Sequence, residues 1–463
     1  MRYLFGFMCV LALGVMGCSE TTGTGGSGGD GGSGGDGVTD CTGVEDGTEC
    51  LISNPIFPLP GLCLAGSCVP ECNVLEEGSA CRLLGDETGV CVDDSCEPRC
   101  DNDADCTDYK DCTADTCLSN GLCESVAVQD GTLCAGGTCQ TGECVLESTV
   151  LPCTEQGIRN AIAAGGDTPY TFDCAGPTTV TTAAAILIDN DVILDGEGNL
   201  TIEGAFPVDL FVEAGVQATL SRMAVNMSID NSGTLTLTNC IVSRGGIRND
   251  GDGALTLIDS TVSGALGTGI VSFSETVLTL INSTVSGNGD ANTNRGGIFA
   301  QGETTLINST VSGNVGDFVG GIDIDGTATL INSTVSGNAP GEDIEWGFDS
   351  TLTITNSIVD GDCARGFGAS VEGNGYNIES PGDTCGFDQT GDLVNITEGQ
   401  LDLDELADND GPTMTHALGV DSVAIDHIPA VDCEVTEDQR GEPRPVGDGC
   451  DVGSFERQPT DSN

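Results

Sequence analysis

A decapeptide motif recurs six times between Gly233 and Asp362, most often as TLINSTVSGN. One position of the motif, between two short apolar segments, is Asn in five copies and Asp in one. The copies are separated by 20, 23, 26, 24 and 24 residues, counted along Asn239, Asp259, Asn282, Asn308, Asn332 and Asn356. A period in this range indicates a solenoid, because coils that cannot bury an apolar face alone share one continuous core when they stack.

Each repeat predicts three short strands. A further apolar segment opened by glycine lies between successive motifs, as in GGIRNDG, TGIVSFS, GGIFAQG and GGIDIDG. Within the motif, Leu280 and Val285 alternate with Thr and Ser, so one side of each strand faces the core and the other faces outward. The Asn lies between the second and third strands, where a sharp bend needs a residue that tolerates left-handed backbone angles. Stacked amides are expected to form a hydrogen-bonded ladder, with Asp259 as the exception.

This coil pattern resembles right-handed parallel β-helix proteins, both pectate-lyase-like enzymes and bacterial surface proteins of the polymorphic outer-membrane and choice-of-anchor Q type. The resemblance covers residues 150 to 457 and specifies a fold and a family rather than an activity. It implies an all-β fold, a right-handed parallel β-helix of three-strand coils over residues 150–362. Eight or nine coils are expected from about Asp191 to Asp362.

Both ends of the β-helix carry further signals. The segment CTEQGIRNAIAAGG, residues 153–166, has an N-cap candidate in Thr154 and apolar residues on one face, so we expect a capping helix over the first coil. A cysteine, this helix and the strand YTFDC follow one another as in choice-of-anchor Q proteins. Residues 363–457 resemble the loop-rich C-terminal cap of the same proteins, with 458–463 as a tail. The resemblance implies three disulfides: Cys153 with Cys174, Cys363 with Cys385, and Cys433 with Cys450. Cys240 is left over as a buried free thiol.

The N-terminus predicts export and membrane attachment. Residues 1–17 read as a signal peptide, with Arg2 ahead of an apolar run. The letters Val15-Met16-Gly17-Cys18 resemble a bacterial lipobox, which implies that Cys18 carries lipid and anchors the chain in the membrane. Residues 18–40 then form the lipidated Cys and a flexible Gly/Ser linker. By the same resemblance, the expected location is the cell envelope, as a surface-exposed outer-membrane lipoprotein.

Residues 41–149 are rich in cysteine. Sixteen cysteines lie between Cys41 and Cys144, which in an exported chain indicates a disulfide framework of small modules whose connectivity the sequence leaves open. Three copies of a local motif each end in two cysteines with four residues between them. Asp101, Asp103 and Asp105 occupy alternate positions and are candidate calcium ligands; the alternative is a solvated acidic loop.

The net charge of −60, with Lys110 as the one lysine, restricts the partners. Nucleic acid is excluded, and an anionic polysaccharide would need a bridging cation, because such a surface repels phosphates and carboxylates. A neutral or cationic partner, a surface protein, or calcium fits better. The alternative is that the acidity serves solubility alone. No cofactor other than calcium is expected.

The strand alternation identifies a candidate binding face on the first strands. If Ile247 and its equivalents in later coils point inward, two rows of residues point outward: Arg248, Val271, Phe299, Asp323 and Glu345, and then Asp250, Phe273, Gln301, Asp325 and Gly347. Aromatic rings beside polar groups suit a neutral sugar chain lying along the axis. The candidate ligand-binding residues are therefore Phe273, Phe299, Gln301, Asp323, Asp325 and Glu345. The alternative is that the long turns 287–295 and 313–319 cover both phenylalanines.

Evidence for catalysis is thin. A lyase would need calcium on carboxylates and an Arg or Lys base, for which Arg248 is the candidate on this face. The letters Ile425-Asp426-His427 resemble a sequence of pectate lyases, but they fall in the expected cap. The grouped aspartates of polygalacturonase-like hydrolases are not found. The sequence favours a non-catalytic, surface-anchored protein that is adhesive or carbohydrate-binding. The alternatives are a pectate-lyase-like polysaccharide lyase or hydrolase, and a structural surface protein without a ligand.

Overall fold

The computed structural model describes residues 95–204 and 209–461, together with the backbone of five earlier strands between residues 49 and 92. Side chains are described from residue 99 onward within those ranges. The predicted signal peptide, Cys18 and the linker 18–40 lie outside the described residues. In the described part, no helix combines the length and the apolar character needed to cross a membrane.

The first two cysteine-rich modules are each a three-stranded antiparallel sheet. One is formed by Glu49–Ile52, Leu59–Leu64 and Ser67–Pro70, and the other by Ala80–Arg82, Thr88–Val92 and Ser95–Pro98. In both sheets the last two cysteines of the motif face each other across the final hairpin, Cys63 opposite Cys68 and Cys91 opposite Cys96. The repeated motif therefore encodes one local fold.

The third copy of the motif has the same topology. Its strands are Leu133–Cys134, Gly137–Gln140 and Glu143–Leu146, with Cys139 opposite Cys144. It follows a hairpin of Thr113–Cys117 and Cys123–Ala127, and a 3-10 helix at Asp103–Cys106. The disulfides of this stretch include Cys106–Cys123, Cys112–Cys139 and Cys134–Cys144.

From Val150 to Ser380 the chain forms the predicted parallel β-solenoid, beginning with strands at Val150–Pro152, Tyr170–Asp173 and Thr178–Thr182. One sheet contains nine first strands: Ile186–Ile188, Leu210–Val212, Ile229–Asn231, Ile247–Asn249, Ile270–Ser272, Ile298–Ala300, Val315–Ile324, Ala339–Trp346 and Cys363–Arg365. At about 4.8 Å per strand, they extend for roughly 40 Å.

The second and third strands share another sheet. In the first two coils they are continuous, as Val192–Gly204 and Gln217–Asn226. The later second strands are Thr234–Thr238, Ala254–Ile258, Val277–Ile281, Glu303–Ile307, Thr327–Ile331, Thr351–Thr355 and Ser370–Gly375. The later third strands are Ile241–Ser243, Thr261–Ser263, Thr284–Ser286, Thr310–Ser312, Thr334–Ser336, Ile358–Asp360 and Ile378–Ser380.

The six motif positions have the predicted left-handed backbone, with φ between 47° and 54°. Their side chains form part of the expected ladder: Asn282 donates to Asp259, Asn308 donates to Asn282 and Asn356 donates to Asn332, over 3.1 to 3.5 Å. A glycine is needed beside the inward isoleucine of the first strand, because neighbouring coils approach closely there. A Cβ on Gly321 would lie 2.1 Å from the carbonyl oxygen of Asp343 on the next coil.

The predicted capping helix spans Glu155–Ala164. Thr154 caps its first turn by accepting from the Gly157 amide at 3.1 Å, and Gly165 follows its last residue. Ile158 and Ile162 are buried in the same core as the coils, so the helix covers the apolar end of the solenoid. The structure contains the three disulfides that the resemblance implies, Cys153–Cys174, Cys363–Cys385 and Cys433–Cys450, and Cys240 is a buried free thiol.

The C-terminal cap region runs along the side of the solenoid. It is built mostly from turns, with a short helix at Glu398–Leu401 and paired strands at Ile428–Pro429 and Gly449–Cys450. It hydrogen-bonds to the outward threonines of three successive third strands: Thr284 donates to the Met414 carbonyl, Thr310 to the Gln439 side chain, and Thr334 accepts from the Ser454 amide. The third-strand side of these coils is therefore closed to solvent by the chain itself.

Candidate functional site

The outward residues of the first strands lie in one register. Each first strand pairs residue for residue with the next, so Asp230, Arg248, Val271, Phe299, Asp323 and Glu345 form a row. The isoleucines beside them, from Ile247 to Ile344, are 0% or 1% exposed. The alternation predicted from the sequence is therefore correct, and successive members of the row are about 4.8 Å apart. We call this surface the first-strand face.

Arginine covers the two phenylalanines that the sequence identified. The Arg248 guanidinium lies 4.6 Å from the centre of the Phe273 ring, and its Nε donates to Asp250 at 2.9 Å. Arg295 lies 4.1 Å from the centre of the Phe299 ring and forms an ion pair with Asp323. Both rings are partly buried. The expectation of open aromatic faces at Phe273 and Phe299 is therefore wrong, since a cation is stacked on each.

The source of each arginine explains the error. Arg295 belongs to the long turn 287–295, so for Phe299 the alternative of a covering turn is what the structure shows. Arg248 instead lies on the preceding first strand. Asn249 of that strand pairs with Ser272 of the next strand, and this pairing brings Arg248 beside Phe273.

Carboxylates crowd the later coils of this face. Asp323 is 4% exposed, and burial raises its pKa although its bonds to Arg295 oppose the shift. Burial also raises the pKa of Glu345, and the nearby charges of Asp323 and Glu342 raise it further. Asp325 is exposed and Gln301 is partly exposed. The face therefore offers hydrogen-bond acceptors and negative charge at consecutive coils.

Two exposed phenylalanines at the edge of the face were missed by the sequence reasoning. Phe348 is 76% exposed and Phe367 is 84% exposed. Trp346 pairs with Arg365, so the two phenylalanines occupy equivalent positions on consecutive coils, two residues beyond the first strand. A Cβ on Gly366 would lie 2.6 Å from the Gly347 carbonyl carbon, which shows how closely the coils touch there. The sequence does contain a signal for this pair, because both coils carry a Gly-Phe dipeptide at the equivalent position.

The structure does not bring the predicted calcium ligands Asp101, Asp103 and Asp105 together. Asp103 accepts from the Cys117 amide at 2.8 Å, and Asp105 accepts from the amide and side chain of Asn102 at 3.0 Å. Two of the carboxylates therefore stabilise local turns. Among all described residues, no three acidic side chains place their oxygens within 4.8 Å of one another. Alternate spacing aligns side chains only in an extended strand, whereas Asp103–Cys106 is a 3-10 helix.

The histidines of the cap region serve packing. His416 lies between the Ser312 hydroxyl, 2.8 Å from Nε2, and the Asp404 carbonyl, 2.7 Å from Nδ1, and burial lowers its pKa. His427 Nε2 lies 2.6 Å from the Gly391 carbonyl. Asp426, its neighbour in the Ile425-Asp426-His427 sequence, accepts from backbone amides of the cap region. These contacts place the three-residue sequence in the framework of the cap region, away from the first-strand face.

These observations define a parallel β-helix protein with one side closed by its own C-terminal segment. A family model described as "Right handed beta helix region" matches residues 225–381, about a third of the chain, which confirms the right-handed fold. A solved structure entitled "Crystal structure of pectate lyase Pel9A" is 14% identical and has a TM-score of 0.36, and the match covers 64% of this chain and 90% of that one. That likeness is too distant to support an argument about activity. No curated protein matches the sequence.

Proposed function

We propose that this chain is a non-catalytic β-helix protein of the bacterial cell surface, which binds a neutral polysaccharide along its first-strand face. The observation that carries the proposal is the exposed pair Phe348 and Phe367, which lies two residues beyond the first strands of two consecutive coils, beside the row of polar side chains. Exposed aromatic rings at coil spacing suit sugar units of a chain that lies along the axis, because a ring contacts the apolar face of a sugar while neighbouring acceptors receive its hydroxyls.

The charges of the face favour a neutral chain. Asp323, Asp325 and Glu345 would repel a polyuronate, and the two arginines that would attract it are already bonded to carboxylates. The exposed Asp325 and the partly exposed Glu345 can accept hydrogen bonds from hydroxyl groups without a change in charge. The stacked Phe273 and Phe299 then act as rigid supports for the arginines rather than as contact surfaces.

The ion pairing also opposes the lyase alternative. A catalytic arginine base must have its guanidinium free to approach the substrate, whereas Arg248 is bonded to Asp250 at 2.9 Å and stacked on Phe273. Both contacts engage the guanidinium with groups of the protein itself. A polysaccharide lyase or hydrolase is therefore the second choice.

The proposed location follows from the N-terminal sequence. The apolar run before Cys18 and its lipobox-like letters support export and attachment to the envelope through lipid, with the Gly/Ser linker as a tether. The resemblance to choice-of-anchor Q and polymorphic outer-membrane proteins supports exposure at the cell surface. The disulfides among the described residues are consistent with an oxidising compartment.

The test is retention of the purified full-length chain by immobilised polysaccharides, with and without calcium. Neutral chains should retain it and polyuronates should not. Phe348→Ala and Phe367→Ala should each weaken retention about threefold to tenfold, as expected for loss of one aromatic contact. Phe318→Ala is the matched control, because Phe318 is also exposed, at 64%, but lies outside the pair.

Three outcomes would reject the proposal. Release of unsaturated or reducing ends, abolished by Arg248→Ala, would make the protein an enzyme. Equal weakening by Phe318→Ala would show that general surface hydrophobicity drives retention. Lack of retention by every polysaccharide would favour a structural surface protein or one with a protein partner.

A further inference from the structure

A polar cavity lies where the asparagine ladder ends. Its volume is about 510 Å³, within the range of small-molecule sites. Thr355 and Asn356 of the last motif copy are its buried residues, Asn374 and Tyr376 line it from the next coil, and Thr390 lines it from the segment after the last third strand. Residues 431–434 of the cap region complete it. The cavity is separate from the first-strand face, so its role does not depend on the function proposed above.

The ladder leaves one acceptor open at this cavity. Asn356 is fully buried, and its Nδ2 donates to Asn332 at 3.5 Å, but its Oδ1 has no hydrogen-bond partner among the described residues. Thr355 pairs with Gly375, so Tyr376 takes the position of the next rung. Tyr376 has the left-handed backbone of that position, with φ of 56°, which is rare for an aromatic residue. Tyr376 carries no side-chain amide, so it cannot donate a hydrogen bond to Asn356 and the ladder ends there.

The opposite wall of the cavity is acidic. Tyr376 donates its hydroxyl to Asp432 Oδ2 at 3.0 Å, and Asn374 donates its amide to Glu434 Oε1 at 3.0 Å. In the described structure, the second oxygen of each of these carboxylates accepts no hydrogen bond, and no lysine or arginine lines the cavity. The site therefore combines two negative charges and several acceptors with few donors.

We infer that this cavity binds a protonated amino sugar. A hexosamine unit carries several hydroxyl donors and one ammonium group, which match the open carboxylate oxygens of Asp432 and Glu434 and the unsatisfied amide oxygen of Asn356. The Tyr376 ring offers an apolar surface for the sugar ring. An anionic sugar is repelled by the two carboxylates, and an ammonium group forms stronger, charge-assisted hydrogen bonds with them than a neutral hydroxyl does.

The experiment is calorimetric titration of the full-length chain near pH 6 with four probes: glucosamine, glucose, N-acetylglucosamine and glucuronate. We expect glucosamine to bind, glucose and N-acetylglucosamine to bind at least about tenfold more weakly, and glucuronate not to bind. The variant Asp432→Asn with Glu434→Gln should weaken glucosamine binding by at least about tenfold. These side chains are exposed, so the fold does not depend on them, which unchanged Trp346 fluorescence would verify.

A matched control variant, Glu405→Gln with Asp421→Asn, makes the same change in charge at exposed sites of the cap region outside the cavity. It should bind glucosamine like the parent chain. Equal loss in both double variants would show nonspecific attraction to the acidic surface and overturn the assignment. So would equal affinity for glucosamine and glucose, calcium binding that the cavity variant alone abolishes, or no binding at all. Phe348→Ala should leave glucosamine binding unchanged, which separates this site from the first-strand face.

Discussion

Asp343 ends a row of buried amides inside the solenoid. Asn288 donates to Asn314 at 2.9 Å, Asn314 donates to Asn338 at 2.9 Å, and Asn338 donates to Asp343 Oδ1 at 2.7 Å. The carboxyl group is 4% exposed. Burial raises its pKa to about 7, the bonds from Asn338 oppose this shift, and nearby aspartates add to it. We predict that Asp343→Asn stabilises the folded protein above pH 7.

The sign follows from where the proton is lost. In the unfolded chain the pKa of Asp343 is near its ordinary value of 3.8, whereas in the folded protein it is about 7. Between these values the unfolded chain loses its proton and the folded protein keeps it, so the free energy of unfolding falls from about pH 4 to pH 7. The difference of about 3 pKa units, at ~1.4 kcal/mol each, gives a loss of about 4 kcal/mol above pH 7.

Asparagine resembles the protonated carboxyl group, so it removes this loss. Its oxygen still accepts from Asn338, and its amide replaces the carboxyl oxygen Oδ2, which lies beside Gly361. At pH 4, where Asp343 is protonated in the folded protein, the variant and the parent should be about equally stable. At pH 8 the variant should be more stable by up to about 4 kcal/mol.

Trp346 makes this effect measurable at the site. It is the one tryptophan of the chain, fully buried, and it lies on the strand Ala339–Trp346 with Asp343. Urea unfolding followed by its fluorescence therefore reports on the coil that contains the substitution. Asp421→Asn, at an exposed position, is the control and should change nothing at either pH. Coincident unfolding curves of the parent and Asp343→Asn at pH 8, or an equal difference at both pH values, would refute the reasoning.

Three further predictions concern other buried groups. Burial raises the pKa of Cys240 to about 11, so a thiol reagent at pH 8 should label it only after denaturation, as located by peptide mass spectrometry. Asn308→Ala should lower the free energy of unfolding by about 1–3 kcal/mol in urea titrations, because alanine disfavours the left-handed backbone and loses the side-chain bonds; unchanged stability would contradict this. Thr310→Val removes the donor to Gln439 Oε1 and one of the two hydroxyl contacts of Ser454, so residues 411–457 should exchange amide hydrogens faster, and equal exchange rates would rule out that role.

The fold could be predicted because it follows from the repeat of one coil length and from the alternation of apolar and polar residues within each strand. Asn282 and its equivalents marked a bend that needs left-handed angles, and all six have them. Ile247 and its equivalents marked the inward side of the first strands, and they are buried. Thr154 and the apolar face after it marked the capping helix. Each of these inferences depends on neighbours in sequence or on one coil spacing, which the repeat itself supplies.

The candidate site was less predictable because it depends on side chains from irregular segments. Arg295 contacts Phe299 from the turn 287–295, which is not part of the repeated motif. The repeat pattern therefore gives no indication of this contact. The side-on docking of the cap region depends on contacts such as Thr310 with Gln439, which are 129 residues apart. The bond from the Cys117 amide to Asp103 could not be predicted from the alternate spacing of the aspartates, because the local backbone is a 3-10 helix.

The position of the cap region has a consequence for how such a protein changes length. Its hydrogen bonds to the solenoid begin at Asn282 and continue toward the C-terminus, while Ile241 on an earlier third strand remains 52% exposed. A whole coil duplicated or deleted before Asn282 would leave these bonds in place, since every coil presents the same register to the next. The number of coils can therefore change by one repeat at a time during evolution, while the cap region keeps the same contacts with the later coils.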